Sequence, residues 1–191
     1  MSKLNWAVPI AFAVVLSGCG DVTSAGDEVL DMASASAENQ GDTSVTMNAF
    51  DSGIPSVSSD RQPADLPITS DCGELAERWP ADWVALEVSV LDLVNERRAT
   101  MQDCGSAGRF EPVPPLTGNA LLDCAARRHS LDMAQRVFFD HINPDGDAPD
   151  ARVLETGYRP RAMGENIAAG AMTAEQVVEG WMNSDGHCRN I

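Results

Sequence analysis

Between residues 83 and 101 apolar side chains return at the interval of a helical turn: Val84, Val88, Leu91 and Val94 form a stripe that Leu86, Val90 and Leu93 widen. The pattern predicts a helix buried along much of one side, closed off by Gly105 and Gly108. The stretch FEPVPPL, residues 110–116, is too rich in proline for helix or inner strand and predicts an extended connection. A second helix is predicted over residues 119–139, with Leu122, Ala126, His129, Met133 and Val137 on one face. His129 then lies on the apolar side, as a core histidine holding a hydrogen bond. NPDGDAPD, residues 143–150, alternates acids but lacks the glutamate spacing of an EF-hand and carries two prolines, so it predicts a turn. A short helix over residues 149–156 can close on Gly157. Thr173 and Gln176 have the spacing of a capping box, which starts a last helix that buries Val177, Val178 and Trp181 and ends near Ser184. GENIAAG, residues 164–170, predicts a short strand, and the Asp185-Gly186 step a turn out of the last helix toward another strand.

The N-terminal region follows different rules. One charge, Lys3, precedes an apolar run from Trp6 to Leu16 and then LSGC, the layout of a cleavable leader. The run is shorter than the ~20 residues that span a bilayer. Leu16, Ser17, Gly18 and Cys19 resemble a lipobox, which implies cleavage before Cys19, a lipid on that cysteine and Gly20 as the next residue, as in outer-membrane or surface lipoproteins. Residues 20–71 are dominated by Ser, Thr, Ala, Gly and Pro, with acids set against a lone Arg61, and bury too little apolar surface to offset the entropy of ordering. We expect a leader at 1–19, a disordered tether at 20–71 and one folded domain at 72–191.

Charge and cysteines narrow the function. The formal net charge is -16 and Lys3 is the only lysine, so nucleic acid and anionic lipid surfaces are excluded as main partners, as is lysine-based covalent catalysis. Contact with a membrane is expected through the lipid on Cys19 only. Beyond Cys19 there are four cysteines, Cys72, Cys104, Cys124 and Cys188, and no CxxC pair. In an exported chain that reads as two disulfides in place of a zinc-thiolate site.

AARRHSLDMA, FFDH, GY, GENIAAG, WMNS and GHCRNI, in this order and at these intervals, resemble the bacterial CAP superfamily, the SCP-like or pathogenesis-related-1-like extracellular domains. The resemblance runs from about Trp83 to Ile191 and implies an α+β fold, an α-β-α sandwich with a central antiparallel sheet. In that family the chain continues past the GH motif into further strands, so we expect the last strands of the sheet to be missing here and the chain to be less stable than a complete domain. The family cavity of two histidines and two acids carries over as His141 of FFDH, Glu165 of GEN and His187 of GHC. The second acid falls on Ser184, so one carboxylate is absent. The likeness also selects Cys104 with Cys188 and Cys72 with Cys124 from the three possible pairings.

Two imidazoles and a carboxylate can hold zinc or another divalent cation with an open position for water or substrate. The spacing is unlike HExxH, so the fold must assemble the site. Without a metal, Glu165 fixes a histidine tautomer or stabilises its protonated form. Cys188 beside His187 is expected to be paired and not nucleophilic. A Ser184–His187 dyad lacks a nameable oxyanion hole and third member. The leading expectation is an extracytoplasmic, lipid-anchored binding module whose partner is a small apolar ligand or an envelope component. The alternatives are a metal-dependent hydrolase, in particular a peptidase, using His141, Glu165 and His187, and a purely structural envelope protein.

Overall fold

The computed structural model describes residues 66–170 and 173–191, together with the backbone of Ile10–Phe12. The elements run β1 (Ile10–Phe12), α1 (Cys72–Arg78), α2 (Ala81–Arg98), β2 (Gln102–Asp103), β3 (Arg109–Phe110), α3 (Ala120–Arg136), α4 (Pro149–Glu155), β4 (Asn166–Ala168), α5 (Ala174–Met182) and α6 (Asp185–Asn190). The fold is α+β, with two short antiparallel ladders, β1 with β4 and β2 with β3. Ile10, Ala11 and Phe12 stand opposite Ala168, Ile167 and Asn166. The rest of the expected leader and its lipobox, and most of the expected tether, lie outside the described residues.

Helices α1, α3 and α5 start where a side chain can take their orphan amides. The Asp71 carboxylate accepts from the amides of Gly73 and Glu74 ahead of α1, and the Asn119 side chain does the same for Leu121 and Leu122 ahead of α3. The capping box at Thr173 and Gln176 is present in both directions. Gly157, at φ 91°, closes the turn behind α4 as its sequence position implied.

Strand β4 carries the layering. Adjacent strand residues face opposite ways, and Ile167 packs against Met133 of α3 while Ala168 joins the core shared by α2 and α5. That core holds Val90, Val94, Ala174, Val177, Val178, Trp181 and Ile191, and the Trp181 indole donates to the Ile167 carbonyl at 3.1 Å. On the other side Leu122 and Ala125 of α3 meet Val153 of α4. A further cluster of Leu75, Trp79, Trp83, Cys124 and Leu131 anchors α1, with the two indoles edge to face at 5.0 Å. Leu66 packs against this cluster and its carbonyl accepts from Gln135, so ordered packing reaches upstream of residue 72.

Both disulfides form with the expected pairing, Cys72 with Cys124 and Cys104 with Cys188. Several other expectations need correction. The first helix ends at Arg98, well before Gly105, and a small hairpin with a 3-10 turn at Gly105–Ala107 follows it. Its buried face holds Trp83, Val90 and Val94, whereas Val88 is 52% exposed. The second helix ends at Arg136 because Val137 adopts a left-handed conformation, φ 57°, and leaves the core at 64% exposure. Residues 185–190 continue as helix α6 where a turn toward a strand was expected. Two tertiary contacts account for this. Asp185 accepts from the Ser106 amide at 2.9 Å and from its hydroxyl, and Cys188 is tied to Cys104, so the segment is drawn back onto the hairpin.

Candidate functional site

The GEN tripeptide is the hinge of the site. Gly164 lies close against Asn190: a Cβ there would come to 3.1 Å from the Asn190 side chain, which would have to give way. This close approach seats α6 against β4. Asn166, fully buried, donates to the His187 carbonyl at 3.1 Å and accepts from Asn190 at 2.9 Å. The position of His187 is therefore set from two sides, by this amide pair and by the Cys104–Cys188 disulfide one residue on.

Glu165 is 3% exposed and its carboxylate is fully engaged. His141 Nδ1 lies 2.8 Å from Oε1. The terminal nitrogen of Arg152, itself 7% exposed, donates to Oε1 at 3.0 Å and Oε2 at 2.8 Å. The other terminal nitrogen of Arg152 donates to the carbonyls of His141 at 2.9 Å and Asp147 at 2.8 Å. One guanidinium thus ties the 141–147 loop and α4 to β4. Burial pushes the Glu165 carboxyl upward, but the His141 hydrogen bond and the Arg152 charge, with a smaller contribution from His129, outweigh it and hold the group below the usual carboxylate range.

Since the ionised carboxylate only accepts, His141 Nδ1 must carry the hydrogen, which leaves Nε2 as the ring nitrogen not bonded to Glu165. His187 is half-buried, and burial followed by the neighbouring His141 lowers its pKa. Its ring makes no hydrogen bond among the described residues. The three residues expected from sequence are brought together as follows: His141 bonds Glu165, and His187 is a neighbour of His141. Ser184 sits at the N-cap of α6 without a capping bond, and Cys188 is buried in its disulfide.

Among the described residues no group of three or more His, Cys, Asp or Glu side chains is arranged to hold a metal. Both Glu165 oxygens are already taken, one of them by Arg152 alone.

The match to known proteins covers this same stretch. A family model described as the Cysteine-rich secretory protein family, CAP, matches residues 91–191. The chain belongs to the CAP family. It is 33% identical over 125 residues to the uncharacterized protein YkwD of Bacillus subtilis (strain 168), covering 65% of this chain and 45% of that protein. It is also similar to the uncharacterized membrane protein YlbC of the same organism, at 29% identity over 111 residues, 58% of this chain and 29% of YlbC. The chain thus spans less than half the length of these curated relatives. No solved structure matches it.

The CAP site holds more than the sequence disclosed. Arg152, Asn166 and Asn190 complete it and were not singled out beforehand. For Asn166 and Asn190 a signal existed, since both lie inside the quoted motifs GENIAAG and GHCRNI. Arg152 offered only a lone basic residue next to an apolar one in a short predicted helix.

Proposed function

We propose that the chain is an extracytoplasmic CAP-domain binding module, lipid-anchored at Cys19, that takes a small ligand with a polar head and an apolar body at the His141–His187 cleft. The closure of Glu165 by Arg152 and His141 carries this reading. A carboxylate held by a buried guanidinium is a poor general base and a poor metal ligand, while it orients His141 well. The cleft then offers Nε2 of His141 and the ring of His187 as hydrogen-bonding groups. Phe139 and Ile142, exposed on either side of His141 in sequence, give an apolar rim. A metal-dependent peptidase on His141, Glu165 and His187 would require Arg152 to let Glu165 go, and no observation favours that rearrangement.

No helix among the described residues is long and apolar enough to cross a membrane. Processing before Cys19 would also take β1 away from β4 and bare that strand edge next to Glu165.

The test uses the oxidised chain. Zinc content after equilibration with zinc, cleavage of a peptide library and binding of a labelled long-chain fatty acid are measured for the parent, His187→Ala and Ile142→Asp. The expected result is no cleavage, no stoichiometric zinc, and fatty-acid binding that falls roughly tenfold in both variants, the loss of about 1.4 kcal/mol of contact. Peptide cleavage that disappears with His187→Ala overturns the reading in favour of the hydrolase. Failure of the parent to bind the fatty acid overturns the ligand class.

A further inference from the structure

The connection from β3 to α3 takes no part in the cleft, yet it is held in one shape. Its sequence from Arg109 is RFEPVPPL, and residues 111–119 belong to neither helix nor strand. Pro112, Pro114 and Pro115 fix their own φ near about -65°. They also keep Glu111, Val113 and Pro114, each followed by a proline, out of the helical region. The conformation left to residues 111–115 is polyproline II, a helix of three residues per turn. Helix α2 then fastens it. The Val113 amide donates to the Arg98 carbonyl at 2.9 Å, and the Arg98 guanidinium returns two bonds to the Pro114 carbonyl, at 3.1 and 2.9 Å. Asn95 and the Leu116 backbone exchange two more, at 3.0 and 2.7 Å. Leu116 packs against the core shared by α2 and α5.

What these anchors hold in place is an exposed surface: every residue from Arg109 to Pro115 is open to solvent, the three prolines included. With a threefold repeat Val113 and Leu116 share one edge and Pro112 and Pro115 another. Leu116 goes to the core, so the edge of the two prolines, which have the PxxP spacing, is turned away from α2. Three residues before Pro112 stands Arg109, whose ion pair with Asp103 is long, 3.8 Å, with the two side chains 67% and 66% exposed. Such a pair is worth little, so the guanidinium is available to another carboxylate. A fixed polyproline edge costs a partner little ordering entropy, and the surface that reads one is a groove lined with aromatic rings. We propose that residues 109–115 are a docking strap for a protein domain with such a groove, the rings stacking on Pro112 and Pro115 and an acid at the end of the groove taking Arg109. The residues of the His141–His187 cleft take no part, so the proposal stands whether or not the cleft binds a ligand.

The full, oxidised chain labelled with 15N is titrated with purified SH3 and WW domains, the probes of this groove chemistry, following the amides of Phe110, Glu111, Val113 and Leu116. The expected result is a saturable shift of these amides with at least one domain, at a Kd of about 100 μM or tighter. Pro112→Ala and Pro115→Ala replace exposed rings, so each should leave the melting temperature nearly unchanged while weakening binding roughly tenfold. Arg109→Glu, which turns the attraction for the acid into repulsion, should weaken it at least about threefold. The proposal is overturned if no domain of either class binds, if the shifts fall on residues away from the strap and α2, or if any of the three folded variants binds as well as the parent.

Discussion

Replacing Arg152 with methionine keeps most of the side-chain volume and removes the guanidinium that holds both Glu165 oxygens. The carboxylate then remains buried with a single donor, His141 Nδ1. Breaking a buried pair by deleting one partner costs about 3–5 kcal/mol, because the surviving charge keeps its desolvation penalty. Two carbonyls, of His141 and Asp147, also lose their donor, although the loop they belong to can admit water. We therefore expect Arg152→Met to lower stability by about 3–5 kcal/mol at pH 7, read as a fall of roughly 2 M in the urea midpoint of the oxidised chain. The penalty should shrink with acid. In the parent, Glu165 has a depressed pKa, so its contribution is present above the unfolded carboxyl value and fades as the pH falls through the folded one. In the variant the unpaired buried carboxyl is raised above the unfolded value of about 4.3, so protonation relieves it first in the folded state. Adding Glu165→Leu should restore most of the loss, since an apolar pair of similar volume is close to neutral against a buried ion pair. A penalty below about 1 kcal/mol, a penalty indifferent to pH, or a double variant no more stable than the single would refute the reasoning.

Two further outcomes follow from the same structure. Stability of the parent should fall steadily as the pH drops from about 7 to 4: the pKa values of His129 and His187 are lowered from the ordinary 6.5, so the unfolded chain takes up protons before the folded one does, and Glu165 adds its loss below about 4.5. Urea midpoints across that range check it, and a midpoint that rises on acidification would contradict it. Replacing Cys104 and Cys188 together with alanine should cost about 2–4 kcal/mol and leave α6 held by the hydrogen bonds of Asp185, His187 and Asn190. The His187 ring resonances should broaden in that variant, and sharp, unshifted ones would show that the disulfide does not place the ring.

The elements that could be read in advance are those whose signals are local. Thr173 with Gln176, Gly157 behind α4 and the prolines of residues 110–116 act through their own neighbours, and the structure keeps each of them. Helix α2 was predicted in place but rotated. It carries Val or Leu at Val84, Leu86, Val88, Val90, Leu91, Leu93 and Val94, so periodicity cannot choose a face. The choice comes from its partners: Trp181 and Val178 of α5 take Val90 and Val94, Trp79 takes Trp83, and Val88 is left in solvent. Val137 shows the same limit at one residue. It continues the apolar stripe of α3, yet the chain must turn there to bring Phe138 onto Met133 and Ile167, and a β-branched residue adopts a left-handed backbone to allow it. Helix α6 was missed for a third reason, because what overrides its Asp-Gly step is a contact with Ser106, 79 positions away.

The site was legible to a different depth. His141, Glu165 and His187 could be named because they sit in motifs, but the chemistry assigned to them depended on what surrounds Glu165. With only two imidazoles and an acid in view, an open metal position was as reasonable as a tautomer lock. Arg152 is what favours the proposed tautomer lock, and its partner lies 13 residues away across a loop, so no local pattern announces the pair. Ser184 gives the same conclusion from the opposite direction. The family's second acid would have added a negative charge that a cation could answer. Here the single carboxylate is already answered by a guanidinium from within the chain, which leaves the two imidazoles beside a charge that is already paired. On the proposed reading such a site offers less to a metal ion than to a ligand that brings its own hydrogen-bonding groups.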